Sequence, residues 1–94
     1  MSEAGAVRHD RAARRFEIVV DGRMSYLSYT SAGDGTIDLR HTFVPAELRG
    51  RGIASRIVER ALEHAREHGL KVIPTCPFVA AYLRRHPEHE DLRA

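Results

Sequence analysis

The sequence contains a single cysteine, Cys76. A single cysteine excludes an internal disulfide and suits a reducing compartment. Long apolar runs are missing as well, because none approaches the roughly 20 residues that a bilayer-spanning helix needs. Residues 1–6 do not join a charged stretch to an apolar one, so no secretory signal is predicted. These absences predict a cytoplasmic protein without a membrane role.

The charge of the chain has little excess of either sign. Its 15 lysines and arginines stand against 13 aspartates and glutamates, which gives a net charge of +2. Nucleic-acid-binding proteins usually present a strongly basic face, with aromatic side chains among the basic ones for base stacking. Such aromatic interleaving is missing around the candidate basic residues, so nucleic-acid binding is not expected; these residues are Arg49, Arg51, Arg84 and Arg85.

The length and composition limit the protein to one modest core. With 94 residues, of which 43% are hydrophobic, the chain fits a single globular domain. We expect this domain to span 1–94, with its core over about 7–87. Residues 88–94 are predicted to form a polar, frayed tail.

Hydrophobic periodicity predicts an α/β (α+β) fold. Alternating apolar residues predict an antiparallel meander of three strands, over 15–20, 24–31 and 36–44. A hairpin turn at Asp21-Gly22 joins the first two. A short edge strand is predicted over 7–10. In the last strand the alternation places Ile37, Leu39, His41 and Phe43 on one face. Helical spacing then predicts helices over 52–68 and 77–86, with a short buried strand over 70–75 between them.

The strand–helix–strand unit locates the expected binding site. A right-handed crossover makes the strands over 36–44 and 70–75 parallel neighbours. Ligands of such sheets bind outside the carboxyl ends of the parallel strands. Here those ends are Val44 and the pair Thr75-Cys76, so we expect the loop after Val44 to lie beside Cys76.

Residues 44–54 are the most informative stretch of the chain. Glycines at 50 and 52 would let backbone amides approach an anion, and the helix N-terminus that follows adds partial positive charge. Arg49 and Arg51 can pair with phosphate. A P-loop needs Lys and then Ser or Thr after its last glycine, but Ile53-Ala54 follows Gly52. A dinucleotide-binding fingerprint needs a third small residue where Ser55 stands, and it fits poorly.

The pattern R/Q-x-x-G-x-G/A fits fully, as Arg49-Gly50-Arg51-Gly52-Ile53-Ala54. It resembles the acyl-CoA pyrophosphate loop of the GNAT superfamily of N-acetyltransferases. The resemblance runs from about residue 36 to 86 and is closest to a small branch with the strings HTFVP from His41 and CPFVAAYLRRHP from Cys76. It implies a truncated GNAT-like fold whose loop binds acetyl-CoA, with the pantetheine arm lying beside Val44.

The same resemblance implies an open acceptor side. Typical members carry two helices after their first strand, whereas here Asp21-Gly22 turns directly into the next strand. An open acceptor side suits a peptide or protein amine, or a site completed by another subunit. We therefore expect an N-acetyltransferase that acts on an amine, with a non-catalytic CoA-binding or acyl-CoA-binding module as the alternative.

Three residues are candidates for catalysis. Cys76 precedes Pro77 at a predicted helix N-terminus, which favours the thiolate form, so it could accept the acyl group or polarise the thioester; the alternative is an inert buried cysteine. His41 could accept a proton, or it could be a hydrogen-bonded core residue. The resemblance implies that Tyr82 donates a proton to the departing CoA thiolate, and core packing is the alternative.

The other histidines give no metal site. His64 and His68 stand four residues apart on the predicted first helix, which is a spacing that metal ligands use. Zinc sites need three or four ligands, and the spacing supplies no third. We expect no metal and interpret both residues as packing at the margin of the apolar face.

Overall fold

The computed structural model describes residues 6–94, and its centre is one five-stranded sheet in the order β1-β2-β3-β4-β5. The first four strands are antiparallel neighbours, and β4 and β5 are parallel. This arrangement confirms the predicted meander and the strand–helix–strand unit. The strands are β1 (Arg8–Asp10), β2 (Arg15–Val20), β3 (Arg23–Ser31), β4 (Thr36–Phe43) and β5 (Lys71–Ile73).

Two α-helices follow β4 and β5, close to the predicted bounds: α1 (Ile53–Glu67) and α2 (Pro77–Arg85). Helix α1 begins after Gly52 and ends just before Gly69, and both glycines have left-handed backbones, with φ of 76° and 66°. Helix α2 begins with Pro77, whose missing N–H costs nothing in a first turn. No helix over residues 6–94 has the length and apolar character needed to cross a membrane.

Both helices bury most of their large apolar residues in the core on one face of the sheet, whereas Phe78 of α2 is exposed. Ile57, Val58 and Leu62 of α1 are fully buried in one cluster with Phe16, Leu27 and Leu39 of the strands. The opposite sheet face is covered by neither helix, and it carries exposed Val19 and Phe43. Asp21-Gly22 turns directly into β3, so no helix of the described residues follows β2 to cover this face.

A β-bulge changes the side-chain alternation of β4. Ser28 is opposite His41 and Tyr29 is opposite Leu39, so Arg40 is an extra residue on β4. Beyond it the alternation is inverted: Thr42 turns toward the core, whereas His41 and Phe43 are exposed on the open face. The prediction that His41 and Phe43 share a face with Leu39 was wrong, because a period-2 count fails across an inserted residue.

All three residues of β5 pair with the beginning of β4, and the rest of β4 has no β5 partner. The paired residues are 36–38 of β4 and 71–73 of β5, so β5 is shorter than the predicted 70–75. Pro74 has no N–H to extend the pairing, and the Cys76 amide donates to the Leu39 carbonyl at 2.9 Å instead. Beyond residue 38, β4 therefore has no β5 residue beside it, and this is the end of the sheet where the site was expected.

The C-terminal residues are folded onto the domain. Pro87–Leu92 forms a 3₁₀ helix, and Leu92 is only 5% exposed. Asp91 accepts two hydrogen bonds from Arg66, at 2.8 and 3.1 Å. The expectation of a frayed tail over 88–94 was wrong, because one buried leucine and one bidentate ion pair hold a segment that is otherwise polar.

Candidate functional site

A cleft of about 580 Å³ lies at the end of β4, beyond the residues that pair with β5. Its walls are the end of β4, the loop that follows, the first turn of α1 and one side chain of α2. The lining residues are His41, Thr42, Phe43, Val44, Leu48, Arg49, Gly50, Gly52, Ile53, Ala54, Ser55 and Phe78. All of the predicted binding residues except Arg51 are therefore brought together in one cleft.

The N-terminus of α1 opens into this cleft without a cap. Gly50 and Gly52 have left-handed backbones, with φ of 84° and 76°. Within the described part of the chain, no side chain caps α1, and its first turn holds no acidic residue. The first amides of a helix have no acceptor inside the helix. Those of Ile53 and Ala54 can therefore bind an anion, with support from the helix dipole.

The two arginines of the loop point to different places. The Arg49 Nε donates to the Val44 carbonyl at 3.1 Å, which keeps this side chain at the cleft. The Arg51 Nη1 donates to the Asp21 carboxylate at 3.1 Å, which ties the loop to the β2–β3 hairpin. Arg49 is thus placed to meet an anion in the cleft, whereas Arg51 already has a carboxylate partner.

Cys76 lies behind the cleft wall. It is the residue just before α2, as predicted, and it is 3% exposed. Its Sγ is 3.2 Å from the Thr42 Oγ1, and Thr42 lines the cleft while Cys76 does not. Sequence reasoning missed Thr42, because only the bulge at Arg40 turns its side chain toward Cys76.

His41 lines the opposite side of the same strand. Its side chain is exposed, and its ring centroid is 6.2 Å from that of Tyr26 on the open sheet face. Neighbouring residues of a strand point to opposite faces, so His41 points away from Cys76 while Thr42 points toward it. His41 and Cys76 therefore flank one strand and do not form a contacting pair.

Tyr82 lies in a second cleft of about 470 Å³ between α1 and α2, and its hydroxyl donates to the Glu59 carboxylate. The His86 ring stacks on the Tyr82 ring, with centroids 4.0 Å apart. Burial and the neighbouring Glu59 raise the pKa of Tyr82. Ser55 lines both clefts, but the hydroxyl of Tyr82 is held by Glu59 rather than directed into the first cleft.

Three other histidines, His9, His64 and His68, pack together at the other end of α1. The His64 ring lies 4.2 Å from that of His68 and 4.6 Å from that of His9, measured between centroids. Burial, followed by the nearby His9 and His68, lowers the pKa of His64 to about 4. No group of three or more His, Cys, Asp or Glu residues in the described range 6–94 is arranged to hold a metal ion.

Comparison with known proteins agrees with this geometry. The model of the GCN5-related N-acetyl-transferase family matches residues 15–92. Protein NATD1 of Xenopus tropicalis is 37% identical over 83 residues, which cover 86% of this chain and 76% of the relative. Human Protein NATD1 is also 37% identical, over 86% of this chain and 74% of its own.

A solved structure is similar over the whole chain. The NMR solution structure of a GCN5-like protein from Staphylococcus aureus matches with a TM-score of 0.76 and 27% identity, covering 100% of this chain and 91% of that one. It therefore shares the overall fold. The chain belongs to the GCN5-related N-acetyltransferases, a family of acyltransferases.

Proposed function

We propose that this chain binds acetyl-CoA in the cleft between β4 and α1 and transfers the acetyl group to an amine. The observation that carries the proposal is the uncapped N-terminus of α1, which follows left-handed Gly50 and Gly52 and opens into a cleft of about 580 Å³. An anion is the ligand that such a helix end binds. The pyrophosphate of CoA supplies one.

Each group of loop residues would make a different contact with the pyrophosphate. Gly50 and Gly52 keep Cβ atoms away from the ligand, so the backbone can approach it closely. The amides of Ile53 and Ala54 would donate to phosphate oxygens. Arg49, held at the cleft by the Val44 carbonyl, would add a charge-assisted bond.

The unpaired edge of β4 would bind the pantetheine arm. After Asp38, β4 no longer pairs with β5, and its backbone through Val44 borders the cleft. An extended ligand with amide groups can lie along such an edge as an added strand. The thioester would then lie near Thr42, at the part of β4 that has no β5 partner.

The acceptor would approach from the open side of the sheet. No helix in the described range covers that face next to His41 and Phe43. A free amine must lose a proton as it attacks the thioester carbonyl, and an exposed imidazole at the cleft edge can take it. We therefore assign the proton-accepting role to His41. The open face accommodates an amine carried by a peptide or protein.

Cys76 offers a two-step route. The Cys76 thiol would lose its proton, its thiolate would attack the thioester carbonyl carbon, and CoA would leave as a thiolate that takes up that proton. The amine would then attack the acyl carbon on Sγ and lose one proton, and Sγ would leave as a thiolate that is protonated again. Cys76 stays a free thiol in the reducing cytoplasm that we propose as the protein's compartment. The direct route, in which the amine attacks acetyl-CoA itself, leaves Cys76 outside the covalent chemistry.

A non-catalytic acyl-CoA-binding module is the second candidate. It is favoured by Tyr82, because the hydroxyl that the family resemblance assigns to proton donation is held by Glu59 in the other cleft. Calorimetry with CoA, followed by a screen of amines with acetyl-CoA, separates the candidates. CoA binding with acetyl transfer supports the enzyme, and binding without transfer to any amine supports the module. Absence of CoA binding contradicts both.

A further inference from the structure

We infer that Thr42 is the positioning residue for the Cys76 thiol, and that its hydroxyl is the link between this thiol and the cleft. Cys76 is 3% exposed and does not line the cleft. Thr42 is half-buried, lines the cleft, and has its Oγ1 3.2 Å from the Cys76 Sγ. A group that reaches Cys76 from the cleft therefore meets the side chain of Thr42 first.

Two features of the backbone fix this contact. The bulge at Arg40 turns Thr42 toward the core face, where a regular strand would have placed His41. The Cys76 amide donates to the Leu39 carbonyl at 2.9 Å, which anchors the loop before α2 against β4. The hydroxyl on β4 and the thiol in the loop before α2 are thus held together, 34 residues apart in sequence.

The chemistry of the pair gives the hydroxyl a specific task. A threonine hydroxyl carries one proton, and a thiolate can only accept. When Cys76 is a thiolate, Thr42 can donate to it and hold Sγ behind the wall of the cleft. Valine has nearly the same shape and lacks the donor, whereas serine keeps the donor and lacks the methyl group. This role of Thr42 rests on the proposed function, because the Cys76 thiol can accept an acyl group only if acetyl-CoA binds in the cleft.

The test uses the fact that Cys76 is the chain's only cysteine, so iodoacetamide alkylates one thiol. The rate of alkylation at a fixed neutral pH is compared between the wild type, Thr42→Val and Thr42→Ser, with circular dichroism to confirm folding. Thr36→Val is the matched control, since Thr36 is also a half-buried residue of β4 and lies outside the cleft. Because the thiolate is the reacting form, we expect Thr42→Val to be at least fivefold slower. Thr42→Ser and Thr36→Val should stay within twofold of the wild type.

Two results overturn the assignment. One is an equal or faster rate in folded Thr42→Val. The other is an equal loss in Thr42→Ser, which would show that the methyl group, and not the hydroxyl, matters. If Thr42→Val fails to fold, Thr42→Ala replaces it in the same comparison. CoA affinity is measured separately on the wild type, so a failure of the proposed function does not obscure the alkylation result.

Discussion

Arg51 and Asp21 join the loop before α1 to the β2–β3 hairpin, with the Arg51 Nη1 3.1 Å from the Asp21 carboxylate. Arg49, two residues earlier, instead bonds the Val44 carbonyl and lines the cleft. Two arginines of one loop therefore have different tasks: Arg51 connects parts of the fold, and Arg49 faces the proposed ligand.

This division predicts unequal effects on CoA binding. Arg49→Ala should weaken CoA by roughly 1–3 kcal/mol, because it removes a charge-assisted bond to phosphate. Arg51→Ala should weaken CoA by less than about threefold, well under the tenfold that 1.4 kcal/mol represents. Calorimetry with CoA measures both losses. Pantetheine, which lacks the pyrophosphate, serves as the control ligand, and an equal loss of pantetheine binding in Arg49→Ala would contradict this account.

The two-step route predicts an acyl-enzyme. Incubation with acetyl-CoA and no amine should leave one acetyl group on Cys76, which intact-mass spectrometry detects. Cys76→Ala should form no adduct and should lose transfer to an amine. Full transfer activity in Cys76→Ala, without any adduct on the wild type, would establish the direct route and remove the nucleophile. That outcome would leave the CoA cleft unaffected.

Tyr82→Phe should change stability more than activity. Its hydroxyl is bound to Glu59, and deleting it leaves the carboxylate without this donor. A loss of about 1 kcal/mol in the free energy of unfolding is expected, measured by urea denaturation. The rate of acetyl transfer should stay within about threefold, because the hydroxyl does not point into the first cleft. A loss of 100-fold or more at unchanged stability would instead assign Tyr82 the proton-donating role.

The lowered pKa of His64 predicts that the domain loses stability in mild acid. Its pKa is lowered to about 4 in the folded protein, mainly by burial, against about 6.5 in an unfolded chain. Between these values the unfolded state binds the extra proton, so stability should fall as pH decreases from about 6.5 toward 4. Urea denaturation at several pH values measures this dependence. His64→Gln should flatten it, whereas His41→Gln, at an exposed position, should not.

The sequence predicted most of what local patterns determine. Alternation gave the strands, the Asp21-Gly22 turn gave the hairpin, and Gly69 marked the end of α1. The loop was found because glycine spacing and a helix start are both written in consecutive residues. Cys76 was placed correctly before α2 because proline follows it.

The features that sequence reasoning missed depend on contacts between distant residues. The bulge at Arg40 is set by the hydrogen-bond register between β3 and β4, and no residue type in the sequence predicts it. It reversed the expected orientation of His41 and hid the role of Thr42. Leu92 lies among charged residues, and its burial is supported by the contact of Asp91 with Arg66 on α1.

Calorimetric titration of two variants, Gly52→Val and Gly33→Val, with CoA tests most directly the central claim that the loop before α1 binds CoA. Gly52 and Gly33 have φ of 76° and 78°, and an added Cβ would meet no atom within 4 Å at either position. Valine at each should therefore cost a similar free energy of unfolding, through left-handed strain alone. Only Gly52 lines the cleft. We predict that Gly52→Val abolishes CoA binding while Gly33→Val binds like the wild type; unchanged CoA affinity in folded Gly52→Val would contradict the proposed site.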